Sequence, residues 1–401
     1  MSIKEKFKFK IKVRPVTIKN IILLTLGPTL VAIIFGLAFS KIFIEGIPMG
    51  VLDMDNSSMS RSIVKQFKET SKFNVSYFPQ SEEELNEAIK TKKVNVGLII
   101  PKNFSKDAIE TKAPKTLLLV DETNLVIGNT ALSYGSEILN TINAGIQIKV
   151  LEANNMVPYA AQKSIASLSF TERMLYEPQL SYMRYLLYAL IGLAVQQLYI
   201  GALAPALIEE KLNMVKIKLR SKEGVKKLIK ICSKILVFSF MTCIGFAGSL
   251  YVAGKYFDLP LKGTILNSFI LLAIFLINLT AISFVLAFVF DASDQCVRFA
   301  MFLSVPTMLT AGYVWPEYMM PPGFFDVVKK LWPLVYFINP FKTINLKGVD
   351  INAIATYVHG GIYYALFWLP LGVGLYLFKI FGFKFVHRKL LKPKERSEER
   401  R

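Results

Sequence analysis

The stretch that decides the fold is TIKNIILLTLGPTLVAIIFGLAFSKIFI, residues 17–44. It is longer than the roughly 20 apolar residues that cross a bilayer. It is too long for a secretory signal core, and no small-residue cleavage site follows it, so it reads as a retained signal anchor. Working outward, residues 45–181 are compatible with water, and then five further apolar spans follow. The spans predicted by hydropathy are Thr17–Ile44, Tyr185–Ile208, Leu228–Gly254, Thr264–Phe290, Gln295–Val314 and Tyr357–Phe381. The expected fold is a polytopic α-helical membrane protein with six transmembrane helices and an extracytoplasmic α/β domain inserted between the first and second. A chain that is 53% hydrophobic and only 19% charged fits a surface largely solvated by lipid.

The net charge of +19 is concentrated in three places: residues 1–19, residues 211–234 and the tail from Lys379 to Arg401. Lys and Arg gather in cytoplasmic loops, so the basic arm 1–16, the loop 209–227 and the basic tail 382–401 are placed inside, and residues 45–181 outside. Both termini are then cytoplasmic. After the third span, the outer connection carries only Lys255 and Lys262. Because the basic clusters flank spans, they read as topology and lipid-headgroup signals, and a nucleic-acid partner is excluded. The Lys-, Ile- and Asn-rich composition fits a low-GC bacterium, and the expected location is the bacterial cell membrane.

The chemistry of soluble enzymes is missing. Cys232, Cys243 and Cys296 all fall in or beside spans and form no disulfide framework. His359 and His387 sit near opposite ends of the last span, and no cluster has metal-ligand spacing. No phosphate-binding loop occurs: Gly248 and Gly254-Lys255 are one residue too far apart and are followed by Tyr256. ATP is not expected to bind this chain by that route, and ATP and Mg chemistry is expected on a partner chain.

Within residues 45–181, the run Pro48 to Leu52 predicts a strand that ends at Asp53-Met54-Asp55-Asn56-Ser57-Ser58. Asn56 to Ser58 supplies N-cap oxygens for a helix with Ile63, Val64 and Phe67 on one face. Strands are expected at Phe73–Phe78, Val94–Ile100 and Thr116–Val120. A capping box at Ser81 and Glu84 should open a helix through Lys92, and a long helical stalk should run from Asn124 to Asn154. Asp53, Asp55 and Asp121 stand at strand ends with no nucleophile or base beside them, which favours turn and capping roles over catalysis.

The segment Asp53 to Arg61 directly after a first span resembles the start of the external domain in permeases of the type 2 ABC exporter family. Two further stretches are similar to landmarks of that family: Ile99 to Phe104, and Leu309 to Pro322 with Phe337-Ile338-Asn339-Pro340. The resemblance implies short re-entrant helices acting as an outer gate, carried by Trp315, Pro316, Glu317, Pro321, Pro322, Asn339 and Pro340 within residues 315–345. The prolines by themselves also predict broken helices that need protein or a water-filled cavity around them. An interfacial loop with an aromatic belt is the plainer alternative.

Between the second and third spans, Leu212, Val215 and Leu219 share one helical face, flanked by Lys216, Lys218, Arg220 and Lys222, which predicts a helix at the membrane surface. The family resemblance makes Glu209, Glu210, Lys211, Leu212, Val215 and Leu219 the coupling helix that rests on a separate ABC ATP-binding subunit. Leu212 and Asn213 stand where the family usually has Gly and a small hydroxyl residue. A lipid-binding basic helix is the alternative. Polar residues inside the spans are Gln196, Gln197, Asn278, Ser304 and Thr307, open to readings as pathway lining or as helix-to-helix hydrogen bonds. Asp291-Ala292-Ser293-Asp294 reads as a tight inner turn with Asp294 as N-cap.

The expected function is therefore the permease subunit of an ATP-driven exporter of amphipathic substrates, working by alternating access, with a second permease copy or homologue as partner. The alternative is an envelope receptor or secretion-associated anchor whose external domain binds a partner. A gradient-driven carrier would carry intramembrane carboxylates and internal repeats, and neither is found.

Overall fold

A computed structural model describes residues 15–39, 44–110, 112, 114–153, 175–176, 181–215 and 222–398. The chain divides into two compact units, one made of residues 1–40 with 183–401 and the other of residues 41–182.

The unit of residues 41–182 is an α/β layer structure. Its strands are β1 (Ile47–Asp53), β2 (Phe73–Tyr77), β3 (Val96–Ile100) and β4 (Leu117–Val120), in the sheet order β2-β1-β3-β4. β1 pairs in parallel with β2 and β3, while β4 runs antiparallel to β3. A central parallel strand is covered on both faces, and β1 and β3 are accordingly apolar along nearly their whole length. The helix after β1, α2 (Ser58–Glu69), packs Ile63, Val64 and Phe67 on one face. The next, α3 (Glu82–Lys90), packs Leu85 and Ala88 against Leu52, Val94 and Ile99 in a separate cluster. A short α4 (Phe104–Ile109) follows β3, and the long α5 (Leu125–Ala153) adds Ala131, Ile127 and Tyr134 to the α2 side. The expected return of the stalk, residues 154–174, lies outside the described residues.

Local hydrogen bonds explain why these elements start where they do. Ser57 Oγ accepts the N–H of Ser60 and caps α2, and Asn124 Oδ1 accepts those of Val126 and Ile127 at the start of α5. At α3, Ser81 Oγ accepts the N–H of Glu84, but Glu84 reaches one residue further back than a capping box requires. Its carboxylate takes the N–H of Gln80 at 2.8 Å and the hydroxyl of Tyr77 at 2.5 Å. The Asp53 and Asp55 carboxylates are occupied by their own loops. Asp53 accepts the N–H groups of Asp55 and Asn56 and the hydroxyl of Ser60, and Asp55 accepts the N–H of Ser105.

The other unit is helical: α1 (Pro15–Ala38), α6 (Tyr182–Val215), α7 (Lys222–Tyr256), α8 (Ile265–Val289), α9 (Ser293–Phe302), α10 (Ser304–Thr310), α11 (Phe324–Leu331), α12 (Val335–Lys347) and α13 (Ala355–Glu398). Among the described residues, α1, α6, α7, α8 and the helical region containing α13 are long and apolar enough to cross a membrane, giving five candidate spans. The sixth expected span, Gln295–Val314, is split between α9 and α10. Pro306 has no N–H to give the Phe302 carbonyl, and the chain breaks one residue after Phe302, at Leu303. Residue Ala292 rather than Asp294 is the N-cap of α9, and Asp294 sits in its first turn.

Two further expectations are corrected. The loop 209–227 does not begin with a separate surface helix: Glu209 to Val215 continue α6 without a break, and residues 222–227 already belong to α7. No Gly or Pro interrupts Leu207 to Val215, and Glu, Lys, Leu and Met all favour helix. Pro340 does not break its segment either, since it lies inside α12. It is buried there next to Phe341, in a ring cluster that holds the helix on α6, α7 and α8. Phe275 and Phe337 stack at 4.6 Å, Phe337 and Phe341 at 5.3 Å, and Phe246 and Tyr188 close on Phe341 at 5.4 and 5.6 Å.

Small residues allow close helix packing, as membrane interiors require. A Cβ on Gly245 of α7 would lie 2.3 Å from the Leu24 carbonyl oxygen of α1, so these backbones meet only because the side chain is absent. Thr29 uses the same approach to donate to the Gly245 carbonyl at 3.2 Å.

Candidate functional site

At one end of the helical unit, charged side chains tie four helices together. Lys211, near the end of α6, is fully buried and donates to the carbonyls of Ala287 (2.6 Å) and Phe290 (2.8 Å) and to Asp291 Oδ1 (2.7 Å). Lys379 of α13 donates to the Phe288 carbonyl (2.7 Å) and pairs with the same Asp291 oxygen at 3.0 Å. The last carbonyls of a helix lack partners within it and carry its negative dipole end, so two ammonium groups there cap α8. Next to Lys211, the buried Glu210 pairs through Oε1 with Lys230 (2.6 Å) and Lys234 (2.8 Å) of α7. Burial works to raise the pKa of Asp291, but the hydrogen bonds from Lys211 and Lys379 outweigh it and hold the carboxyl below its ordinary range.

This arrangement changes how the expected coupling residues are read. Glu210 and Lys211 face the bundle, whereas Leu212 is 51% exposed and Glu209 is half-buried. Val215 ends α6, and Leu219 lies outside the described residues. Sequence reasoning missed Asp291, Lys379, Lys230 and Lys234. The i, i+4 spacing of Lys230 and Lys234 was the only local signal, because their partners stand 20 and 24 residues away.

The expected gate residues fall in a second cluster. Asn339 Nδ2 donates to the Ala311 carbonyl at 2.8 Å, where the chain turns at Gly312 with φ +76°, a conformation that favours glycine. Tyr185 donates to the Tyr313 carbonyl at 2.6 Å, and the Tyr313 hydroxyl donates back to the Tyr185 carbonyl. Lys342 Nζ lies over the Tyr313 ring at 4.2 Å. Pro316 leads into a short 3₁₀ turn, Glu317 to Met319, and Glu317 pairs with Lys329 of α11 at 2.9 Å. Trp315 donates to the Met319 carbonyl at 3.3 Å. Trp315, Pro321 and Phe324 face Leu309 and Thr310 across a cleft of about 440 Å³. Pro322 adjoins Gly323, the cap of α11.

Of Gln196, Gln197, Asn278, Ser304 and Thr307, the fold brings Gln196 and Thr307 into a shared bond, from Nε2 to Oγ1 at 3.3 Å. Thr307 and Ser304 donate back to carbonyls within the broken α9–α10 segment. Asn278 is fully buried on α8, beside Gly361 of α13, and neither of its side-chain polar atoms has a protein partner. The Gln196 and Gln197 amide oxygens are likewise unpaired. Among the described residues, no group of three His, Cys, Asp or Glu could hold a metal ion.

Long apolar helices bearing buried polar contacts, with short broken helices at one end, define a multi-pass membrane protein of the permease type. The chain belongs to the ABC-2 family transporter proteins, whose family profile matches residues 19–373. None of the curated proteins and none of the solved structures compared matches it. The family is that of type 2 ABC transporter permeases, the membrane subunits of systems powered by an ATPase partner.

Proposed function

We propose that this chain is the permease of an exporter, carrying an amphipathic drug, lipid or peptide outward by alternating access, with two such chains forming the path. The observation that carries the reading is the ionic cluster at the end of α6. A displacement of the Glu209–Val215 segment is transmitted through Glu210 to α7 and through Lys211 to α8 and α13. An ATP-binding subunit docking near the exposed Leu212 would therefore move four helices together. The basic residues of α7 and α13 support placing this end in the cytoplasm, with residues 45–181 outside and six spans in all. Residues 315–345 then stand as the outer gate, and Gln196 with Thr307 as pathway lining.

The test pairs Glu209→Arg with Leu212→Glu, two positions outside the buried ion pairs. ATPase co-purification and export of amphipathic dyes should fall together at least about tenfold, the equivalent of roughly 1.4 kcal/mol of docking energy. Unchanged co-purification with unchanged export would refute the docking site.

A further inference from the structure

A groove of about 590 Å³ lies between α7, α8 and α13. Its walls are mainly apolar, including Ile231, Leu276 and Val373, and three hydroxyl-bearing residues line it: Ser239, Thr280 and Tyr376. Each hydroxyl has a single proton to give, so the direction of every bond can be counted. Tyr376 donates to the Leu207 carbonyl at 2.8 Å, and Thr280 donates to the Leu276 carbonyl at 2.8 Å. A carbonyl cannot donate, so both protons are committed. The buried Tyr199 hydroxyl lies 2.9 Å from Thr280 Oγ1 and 2.9 Å from Ser239 Oγ. With the Thr280 proton on the Leu276 carbonyl, every contact is satisfied when Tyr199 donates to Thr280 and Ser239 donates to Tyr199. All the hydroxyl protons of the groove are used, and the Ser239 oxygen on its wall retains free lone pairs.

We propose that this groove binds an apolar molecule carrying one hydroxyl donor, which fills the apolar walls and donates to Ser239 Oγ. The complementarity is electrostatic: the hydroxyl oxygens of the lining present only acceptors, and the polar hydrogens left on its walls are the weak S–H donors of Cys232 and Cys243. Lipid acyl chains offer no hydrogen-bond donor, and ester carbonyls would meet acceptor with acceptor. Away from water, a donor placed against an uncommitted acceptor gains more than it would in solution. Ser239 lies midway along α7, at a depth where headgroups do not compete.

The experiment uses the full chain in phospholipid nanodiscs with a diazirine-bearing long-chain alcohol and its methyl ether, read by mass spectrometry of the labelled peptides. The alcohol should label α7 and α8 roughly three- to tenfold more than the ether, the size of one net hydrogen bond. Ser239→Ala should bring the alcohol down to the level of the ether and leave the ether unchanged. The variant should fold, because Tyr199 keeps its bond to Thr280. Ile277→Trp, on the exposed rim, should fill the groove and lower both labels. Equal labelling by alcohol and ether in the unmodified protein would mean that acyl chains alone occupy the groove, and would overturn the proposal. A preference that survives Ser239→Ala, or labelling untouched by Ile277→Trp, would also overturn it.

Discussion

A buried ammonium group is tolerated only where its three protons find acceptors, and Lys211 finds three: two carbonyls at the end of α8 and the Asp291 carboxylate. Lys211→Met keeps the apolar stem and removes the donors. It should destabilise the fold by about 1–3 kcal/mol for each carbonyl left dry, measured as a lower thermal midpoint of the purified protein. Asp291→Asn should cost less, because the Asp291 side chain is 53% exposed. The opposite order would contradict this account of the cap. Asp291 also sets a pH dependence. Its folded pKa is depressed, so its stabilising contribution is complete above the ordinary carboxylate value of about 3.9. The contribution is lost as pH falls through the lower folded value. Acidification below about pH 4 should therefore lower the thermal midpoint more in the unmodified protein than in Asp291→Asn. The sequence exposed Lys211 as a charge beside a span, but not its partner, because 80 residues separate Lys211 from Asp291 and only the helix packing joins them.

At the scale of elements, local signals were legible wherever a short-range hydrogen bond or an apolar period decided the outcome. β1 ends at the Asp53 turn, and α2 is capped by Ser57, which lies within the Asn56 to Ser58 stretch that offers cap oxygens. Ser57→Ala should cost the α2 cap about 1 kcal/mol, read as a lower midpoint for the unit of residues 41–182 in denaturant. Boundaries were illegible where two opposite tendencies overlap. Glu209 to Val215 is charged enough to look like a surface segment, yet helical enough to prolong α6. In α12, Pro340 lies inside the helix between the stacked Phe337 and Phe341, a tertiary arrangement that no local pattern reveals. The break at Leu303 makes a sharper prediction. Pro306→Ala restores the missing N–H, so α9 and α10 should merge into one helix, and the new amide should be protected from hydrogen exchange. An unprotected amide at position 306 would show that Pro306 does not cause the break.

At the scale of the whole molecule, the proposed topology, drawn from the alternation of apolar spans and basic clusters, is open to test by labelling. With Cys232, Cys243 and Cys296 replaced, a cysteine at the exposed Phe78 should react with an impermeant maleimide on intact cells. One at Lys226 should react only after permeabilisation. The family match carries the functional reading at this scale: ABC-2 permeases belong to transport systems that include an ATPase partner. The most direct measurement is the subunit composition of the complex extracted from native membranes in mild detergent, weighed intact by mass spectrometry. The account predicts two permease chains bound to subunits that carry a phosphate-binding loop and hydrolyse ATP. A complex containing no nucleotide-binding chain would contradict it.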